Sequence, residues 1–196
     1  QDAGAQRAAG LLQLQSGQRV LDACAAPGGK SAHILESASV ELMALDVDAA
    51  RCAGIVRDQE RLGLVAQVRV ADCTALDTWW DGAAFERILA DVPCSASGVA
   101  RRHPDMKWLR READIAAFAA RQARILDALW RTLATGGKLL YVTCSVFPEE
   151  NDAVIDAFAA RTHGARRARL ADGGPAQLLP CPEHDGFFFA LLEKLA

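Results

Sequence analysis

The sequence predicts an α/β fold in which a mostly parallel sheet is covered by helices on both faces. Two observations carry this prediction. Short apolar strands alternate with helical segments, and one long segment repeats apolar residues at 3.6-residue spacing. Near-continuous apolar strands linked by helices are typical of buried parallel sheets. At 196 residues, 51% of them hydrophobic, the chain suits a single domain, residues 1–196, with a substantial core.

The predicted elements follow one another in a regular order. The predicted strands span 19–24, 41–46, 67–72, 87–91, 138–143 and 187–193. Shorter helices are predicted over 30–37, 49–62 and 149–161. A long helix carries apolar residues from Ile115 to Leu133, with one polar break at Gln122, and is predicted to end at Gly136-Gly137. Residues 164–185 are rich in Gly, Pro and Arg and are predicted to be irregular.

Composition and cysteine usage restrict the class of protein. The net charge of −3 argues against a wholly basic nucleic-acid coat but allows a local basic patch. The six cysteines include no CxxC pair, and the Cys181-x-x-His184 pair has no second ligand pair, so no metal is predicted. No apolar run approaches the roughly 20 residues of a membrane span, and scattered thiols are typical of a reducing cytosol. We therefore expect a cytoplasmic monomer.

Polar or reactive side chains stand at the carboxyl ends of five predicted strands. In chain order they are Cys24, Asp46, Asp72, Asp91 and Cys144. The carboxyl ends of parallel strands lie along one edge of a sheet, where open α/β folds bind ligands. Any one of these acids alone is typical of a turn or a helix cap. Five such positions together predict a binding site.

The glycine loop from Cys24 to Lys30 follows the first strand and opens a helix. Gly28 and Gly29 allow a ligand to approach the backbone, and the helix N-terminus offers N–H groups to an anion. The loop matches neither G-x-x-x-x-G-K-[ST] nor G-x-G-x-x-G, which disfavours nucleoside triphosphates and NAD. S-adenosylmethionine carries a carboxylate that such N–H groups can hold. The loop residues expected to contact this donor are Cys24, Ala25, Ala26, Pro27, Gly28, Gly29 and Lys30.

Three acids are suited to the rest of this donor. Asp46, at the end of the second strand, can accept hydrogen bonds from both ribose hydroxyls. Asp48 is the runner-up for that role and is more typical of a helix cap. Asp72 suits the adenine edge and Asp91 suits the ammonium group.

Cys94 and Cys144 each stand before a serine at the end of a strand, and a thiol there suits one kind of chemistry. Carbon 5 of cytosine is a poor nucleophile, but a thiolate added at carbon 6 makes it enamine-like, so that it can take a methyl group from a sulfonium. A base must then remove the carbon-5 proton so that the thiol is expelled. Nearby positive charge raises the thiolate fraction, and Lys30 is the nearest candidate. Four other cysteines are interpreted as small buried apolar residues: Cys24, Cys52, Cys73 and Cys181.

Four motifs carry a resemblance to a known family. They are Ala25-Ala26-Pro27-Gly28-Gly29-Lys30, Asp91-x-Pro93-Cys94-Ser95, Thr143-Cys144-Ser145-x-x-Pro148-Glu149-Glu150-Asn151 and Asp185-Gly186-Phe187-Phe188. Together they resemble the RNA cytosine-carbon-5 methyltransferases. Within that family, Arg101-Arg102-His103-Pro104-Asp105 and Lys107-Trp108-Leu109 resemble the bacterial Sun or RsmB type, which modifies 16S ribosomal RNA. The resemblance spans nearly the whole chain.

The resemblance implies a Rossmann-like class I S-adenosylmethionine-dependent methyltransferase with a mostly parallel seven-stranded sheet. It implies that Cys144 is the nucleophile and that Cys94 helps to release the methylated product. It also implies that Asp91 and Lys30 lie next to the target base. The residues implied to bind the donor are the Cys24 to Lys30 loop, Asp46, Asp72 and Asp91. The expected reaction methylates carbon 5 of a cytosine in 16S ribosomal RNA.

A basic segment directly follows the Cys94 motif and is expected to lie at the mouth of the site. Between residues 101 and 111 it contains five basic residues against one acid, Asp105. One interpretation is a solvated loop and helix start. The functional interpretation is a surface that contacts phosphates, with His103 or Trp108 stacking on a base. The residues predicted to bind RNA are Arg101, Arg102, His103, Lys107, Trp108 and Arg110.

Two rival interpretations stay open. A DNA cytosine methyltransferase would use Cys94 as its nucleophile and leave Cys144 structural, which the Thr-Cys-Ser motif disfavours. A non-catalytic RNA-binding or assembly module would keep the fold without turnover, which the presence of both cysteines and three acids disfavours. The resemblance also implies an all-helical RNA-binding domain ahead of the catalytic one. Since the chain does not contain it, we expect a fragment of a longer protein.

Overall fold

The computed structural model describes the backbone of residues 1–196 and every side chain except that of Lys107. The strands are β1 (Arg19–Asp22), β2 (Glu41–Asp46), β3 (Gln67–Val70), β4 (Phe85–Asp91), β5 (Leu133–Thr143), β6 (Ala165–Ala168), β7 (Gln177–Leu178) and β8 (Phe187–Lys194). The helices are α1 (Arg7–Leu11), α2 (Gly29–Ser37), α3 (Ala49–Leu62), α4 (Met106–Leu109), α5 (Glu112–Thr132) and α6 (Asp152–Arg161). All these strands join one sheet.

The first two strands of the parallel halves, β1 and β4, lie side by side near the centre of the sheet. The order is β3-β2-β1-β4-β5-β8-β6, with β7 also paired to β8. The first five of these strands pair in parallel, whereas β8 runs antiparallel to β5, β6 and β7. After β1 the chain builds one half of the sheet and then returns to build the other half from β4. The gap above β1 and β4 is therefore the switch point at which open α/β sheets bind ligands.

The predicted α/β class with a mostly parallel sheet is confirmed, but the sheet has one strand more than the seven expected. The segment 164–185, predicted to be irregular, contains both β6 and β7. The sequence of β6 is Ala-Arg-Arg-Ala, and its side chains are exposed or half-buried at the edge of the sheet. Charged edge strands of this kind lack the apolar pattern that marks buried strands, which is why the prediction missed it.

The boundary between α5 and β5 also differs from the prediction. The helix ends at Thr132, and Leu133 already pairs with Phe85 on β4. The Gly136-Gly137 pair thus lies within a strand, next to an irregularity in the β4–β5 register, and does not end the helix. Gly136 has φ +76°, and a Cβ on Gly137 would lie 2.7 Å from the carbonyl oxygen of Ala134. These glycines allow the strand to bend tightly there.

Other boundaries also move by one or a few residues. β1 ends at Asp22 and β3 at Val70, so that Cys24 and Asp72 lie in the loops just beyond their strands. The predicted helix over 149–161 is divided into a short 3-10 turn, Pro148–Glu150, and α6. The short helices α1 and α4 were not predicted.

Two apolar layers hold the sheet. On one face α5 and α6 pack with strand side chains that include Ile88 and Tyr141. On the other face α1 and α2 pack with side chains that include Leu89 and Leu140. Neighbouring residues of one strand thus point to opposite layers, and both layers are closed to solvent. Among the described residues, no helix is both long enough and apolar enough to cross a membrane.

Candidate active site

The carboxyl edge of the parallel strands forms one cleft of about 250 Å³. The strand-end residues of the sequence all line it, together with the second cysteine of interest: Cys24, Asp46, Asp72, Asp91, Cys94 and Cys144. The structure therefore brings together the side chains whose strand-end positions in the sequence predict a common site. The cleft lies above β1 and β4, at the switch point of the sheet.

The glycine loop forms one wall of the cleft and opens α2. Gly28 precedes the helix with φ +102°, a conformation that other residues rarely adopt. A Cβ at this position would also lie 3.1 Å from the Ile55 side chain, so α3 packs directly against the loop. Among the described side chains, none caps the start of α2. Its first N–H groups are thus left without a side-chain cap and can bind an anionic group.

Asp46 is almost fully buried and already holds the loop. Its carboxylate accepts hydrogen bonds from the backbone N–H of Ala26 at 3.2 Å and of Asp48 at 3.1 Å. The Arg51 guanidinium donates to the Ala26 carbonyl at 2.7 Å and lies 3.6 Å from Asp46. Asp48 caps α3 by accepting from the Arg51 N–H at 3.0 Å, which is the helix-cap role expected for it.

Asp72 lies at the exposed rim of the cleft. Its Oδ1 accepts hydrogen bonds from the Thr74 N–H at 2.8 Å and from the Thr74 hydroxyl at 2.7 Å. These two bonds hold the pKa of the Asp72 carboxyl below its usual range, the backbone bond being the stronger cause. Asp72 is therefore a fixed carboxylate at neutral pH. Its assignment to the adenine edge stays a prediction.

Lys30 forms an ion pair with Asp91, which lines the cleft, with Nζ and Oδ2 2.6 Å apart. Both side chains are largely buried, with 14% and 28% of their surfaces exposed. Burial works to lower the pKa of Lys30, but the charge of Asp91 and its hydrogen bond outweigh burial and raise that pKa. The pair thus places a positive and a negative charge near Cys144, with opposite effects on its pKa.

Cys94 and Cys144 face each other across the cleft, with their Sγ atoms 3.5 Å apart. The hydrogen bond between the two thiols lowers the pKa of Cys144, and the charge of Lys30 lowers it further, whereas burial and the charge of Asp91 raise it. The same contact, together with burial, raises the pKa of Cys94 well above that of a free thiol. The directions of the two shifts make Cys144 the more acidic thiol of the pair.

The family is identified by a match that covers almost the entire chain. Residues 9–193 match the family described as 16S rRNA methyltransferase RsmB/F. This chain belongs to the RsmB/F family.

Curated relatives agree with this family and are longer than the chain. Ribosomal RNA small subunit methyltransferase B of Pseudomonas syringae pv. tomato is 50% identical over 210 residues, which cover 100% of this chain and 47% of that protein. The protein of the same name from Vibrio cholerae is 50% identical over 200 residues, covering 99% and 45%. The chain thus spans about half the length of the curated relatives it matches.

Two solved structures from Pyrococcus horikoshii have nearly the same fold. NSun6, solved with SFG, has a TM-score of 0.90 and 27% identity, covering 100% of this chain and 53% of that one. A methyltransferase homolog protein has a TM-score of 0.86 and 29% identity, covering 100% and 67%. The Rossmann-like class I methyltransferase fold expected from the sequence is therefore confirmed.

Asp22 is a buried acid of this RsmB/F chain, near the charged residues Asp46 and Asp91 of the cleft, that the sequence analysis missed. It ends β1, is 1% exposed, and accepts a hydrogen bond from the Ser31 hydroxyl at 2.6 Å, while its other oxygen has no partner among the described residues. Burial raises the pKa of Asp22 to about 7, with the Ser31 bond opposing and the charge of Asp91 adding to the rise. An acid at the end of the first strand was the available signal, but the strand was predicted to run on to Cys24.

Asp22→Asn is expected to stabilise the protein at neutral pH. Because its folded pKa is raised, Asp22 binds its proton more tightly in the folded state, and its contribution to stability is lost as pH rises from 3.8 to about 7. That rise corresponds to roughly 4 kcal/mol. Urea unfolding from pH 4 to pH 8 should show a smaller decline for Asp22→Asn than for the wild type. The exposed Asp77→Asn variant is the control, and an Asp22→Asn curve parallel to the wild type would contradict the assignment.

The basic segment of the RsmB/F-like motif is partly held by a buried acid. Asp185 is 0% exposed and is bound by Arg101 at 3.4 Å and by Arg102, whose Nε lies 2.7 Å from Oδ2. Both arginines keep about half of their side-chain surface exposed, 43% and 50%. They fix the loop after β4 to the segment before β8 and still present charge to solvent. Their contact with RNA stays a prediction.

The remaining predicted RNA residues differ in their surroundings. Arg110 donates from Nε to the Ser95 carbonyl at 2.8 Å and lies over the Phe118 ring at 5.4 Å. It therefore stabilises the Cys94 loop, a structural role that the sequence did not predict. Trp108 is 81% exposed and His103 is also at the surface. The side chain of Lys107 lies outside the described residues.

The Cys181-x-x-His184 pair forms a tight turn. The Cys181 N–H donates to the His184 carbonyl at 2.9 Å, and His184 Nδ1 lies 2.8 Å from the Asp185 carbonyl oxygen. Within the part of the chain that the structure describes, no three His, Cys, Asp or Glu side chains are grouped so as to hold a metal ion. The turn directly precedes Asp185, and the contact of His184 fixes the position of the Asp185 carbonyl.

Proposed function

We propose that this chain transfers a methyl group from S-adenosylmethionine to carbon 5 of a cytosine in 16S ribosomal RNA. The observation that carries the proposal is the pair of thiols, 3.5 Å apart, in the cleft that also holds the glycine loop and the strand-end acids. Family membership supports a ribosomal RNA substrate, since the relatives are ribosomal RNA small subunit methyltransferases B. A cytosine target is supported by the chemistry of the thiol pair.

The cleft has the groups that S-adenosylmethionine requires. The start of α2 offers N–H groups to its carboxylate, Asp46 and Asp72 offer carboxylates to its ribose and adenine, and Asp91 is available to its ammonium. The complex of the relative NSun6 with SFG supports a ligand in the same fold. When bound, S-adenosylmethionine supplies a methyl group on a sulfonium, which a carbon nucleophile can take.

Cys144 would act as the nucleophile. Its thiolate forms a bond to carbon 6 of the cytosine, and the electron pair of the carbon 5–carbon 6 double bond shifts into the ring, which makes carbon 5 nucleophilic. The lowered pKa of Cys144 supports this role, because only the thiolate attacks. The target base must leave its stack to reach a sulfur inside the cleft.

Cys94 would act in the second half of the reaction. Methylated carbon 5 still carries its proton, and a base must take that proton so that the bond from Cys144 to carbon 6 breaks and the aromatic ring returns. The main cause of the raised pKa of Cys94 is its contact with Cys144. Once Cys144 is a neutral thioether, the negative charge on that neighbour is gone, and the pKa of Cys94 falls toward the range of a useful base.

The same contact disfavours the reversed roles of a DNA-type enzyme. There Cys94 would have to be the thiolate of the resting site, whereas its pKa is raised and that of Cys144 is lowered. Cys144 is therefore the better-supported nucleophile.

The proposal is tested by finding the methylated atom. The chain is incubated at low salt with unmodified 16S ribosomal RNA and S-adenosylmethionine that carries a labelled methyl group, and the RNA is digested to nucleosides for mass spectrometry. The expected product is labelled 5-methylcytidine. The control is RNA in which every cytidine already carries a 5-methyl group. Label on any other nucleoside, or on DNA but not RNA, would contradict the proposal.

Asp46→Ala is expected to weaken S-adenosylmethionine binding by about 1–3 kcal/mol, since ribose hydroxyls would stay unpaired and the Ala26 N–H would lose its acceptor. Titration calorimetry without RNA measures the affinity. The matched control is Asp48→Ala, which removes the α3 cap but leaves the cleft intact. Equal affinities for Asp46→Ala and the wild type would remove Asp46 from the binding site.

A further inference from the structure

Glu150 is a fully buried carboxylate at the base of the two cysteine loops. It is 0% exposed. Its Oε1 accepts hydrogen bonds from the Ser95 N–H at 2.8 Å and from Gln122 Nε2 at 3.2 Å. Its Oε2 accepts from the hydroxyls of Ser95 and Ser145, each at 2.5 Å. One carboxylate thus receives four hydrogen bonds from three segments of the chain.

Burial of a carboxylate is costly unless an ion pair or hydrogen bonds compensate for its lost hydration. Among the described side chains, no Lys or Arg forms an ion pair with Glu150, so hydrogen bonds alone compensate for the lost hydration of its charge. Short bonds from hydroxyls to a carboxylate are among the stronger hydrogen bonds. The network therefore fixes the positions of Ser95, Gln122 and Ser145 relative to Glu150.

The partners of Glu150 are the residues next to the two thiols. Ser95 directly follows Cys94, and Ser145 directly follows Cys144. The two serine hydroxyls also lie 3.2 Å from each other. The loops after β4 and β5 are thus tied to one point, one residue away from each sulfur.

Gln122 extends this network to α5. Its Nε2 donates to the Pro93 carbonyl at 3.0 Å as well as to Glu150, and the side chain is 0% exposed. This contact explains the polar break in an otherwise apolar helix face. Helix α5 thereby fixes the backbone at Pro93, directly before Cys94.

We propose that Glu150 is a positioning residue that sets the separation of Cys94 and Cys144 by holding both loops through Ser95 and Ser145. The catalytic consequence follows from the proposed function, since attack and release need two sulfurs on the same base. The separation itself is a property of the protein alone. It can be measured without RNA or methyl donor.

Two variants distinguish the effect of the hydrogen bonds of Glu150 from the effect of its negative charge. Glu150→Ala removes all four hydrogen bonds and leaves the two loops joined only by their direct contacts, such as that of the Gly98 N–H with the Cys144 carbonyl at 2.8 Å. Glu150→Gln keeps the shape: its oxygen can accept from the Ser95 N–H and Gln122, and its amide can donate to the serine hydroxyls, which rotate to accept. If Glu150 acts by position, Glu150→Gln should behave like the wild type and Glu150→Ala should not. Glu149→Ala is the control, because Glu149 is its exposed neighbour.

The first measurement reports on the separation of the sulfurs. In a glutathione redox buffer, the Cys94 and Cys144 thiols lose two protons and two electrons to form a disulfide, and glutathione disulfide is reduced to two thiols. The equilibrium constant gives the effective concentration of one thiol near the other. Peptide mass mapping identifies the pair. We expect Glu150→Ala to lower this concentration at least about tenfold and Glu150→Gln to retain it.

The second measurement is methyl transfer. Glu150→Ala should lower kcat about 100-fold with little change in KM for S-adenosylmethionine, because misplacement by about 1 Å costs this much. Glu150→Gln should recover most of kcat. Equal effective thiol concentrations in Glu150→Ala and the wild type would overturn the proposal, and so would a Glu150→Gln variant as impaired as Glu150→Ala. Absence of methyl transfer in the wild type would contradict the proposed function and leave the thiol measurement as a valid test.

A folding control completes the design. Circular dichroism and thermal unfolding establish that each variant is folded. If Glu150→Ala does not fold, Ser145→Ala takes its place, because it removes the hydroxyl that ties the Cys144 loop to Glu150 and leaves the carboxylate three donors. An effective thiol concentration unchanged by Ser145→Ala would then overturn the proposal.

Discussion

Cys144→Ala is expected to abolish methyl transfer and every covalent protein–RNA adduct. Without its sulfur no bond to carbon 6 forms, and carbon 5 stays a poor nucleophile. We expect kcat to fall by at least about 10⁴-fold, as for loss of other enzymatic nucleophiles. Loss of Cys94 should have a different result. In Cys94→Ala attack and methylation can proceed, but the carbon-5 proton is not removed, so a denaturation-resistant adduct should accumulate.

Denaturing gels of both variants with RNA and S-adenosylmethionine distinguish the two roles. Cys52→Ala is the matched control, because Cys52 is buried on α3 and does not line the cleft. An adduct in Cys144→Ala and none in Cys94→Ala would reverse the roles and favour the DNA-type arrangement. No adduct in either variant, with wild-type turnover retained, would contradict covalent catalysis.

Lys30→Met is expected to shift the reactivity of Cys144 to higher pH and to destabilise the protein. Lys30 lowers the pKa of Cys144, so without it the thiolate fraction at neutral pH falls, and Asp91 is left as an unpaired negative charge nearby. Removing one partner of a largely buried ion pair typically costs about 3–5 kcal/mol. The rate of iodoacetamide labelling of Cys144 against pH, read by peptide mass spectrometry, measures the first effect. Urea unfolding measures the second.

Two further variants make this prediction specific. Lys138→Met removes a lysine from the amino-terminal half of β5, away from the cleft, and should leave the pH profile of Cys144 unchanged. Lys30→Met combined with Asp91→Asn removes both charges and should recover most of the stability but not the activity. A labelling profile in Lys30→Met that coincides with the wild type would show that Lys30 does not act on Cys144.

Which side chains lie near the carboxyl ends of the strands could be predicted from the sequence, and with them most of the candidate site. Parallel strands have their carboxyl ends on one edge, so acids and cysteines at those positions meet wherever the exact boundaries fall. Cys24 and Asp72 illustrate this, since both lie just beyond their strands and still line the cleft. Asp48 could be predicted as a helix cap because caps depend on local sequence.

Other features depend on contacts that local patterns do not encode. Gln122 looks like a defect in an apolar helix face until its partners, Pro93 and Glu150, are known, and they are 29 and 28 residues away. Asp22 was missed because β1, which ends at Asp22, was predicted to continue to Cys24. The charged strand β6 is recognisable only from its pairing with β8. Arg101 and Arg102 look like a solvated basic patch, but they also bind a buried acid.

The proposed covalent bond between Cys144 and the cytosine is tested most directly with RNA that carries 5-fluorocytidine. Fluorine at carbon 5 cannot leave as a proton does, so release is blocked and the adduct persists after methyl transfer. The adduct is digested with protease and nuclease, and mass spectrometry locates the modified peptide. We predict that the nucleotide is attached to Cys144 and that its ring carries one added methyl group. Attachment to Cys94, or methylated RNA without any adduct, would contradict this mechanism.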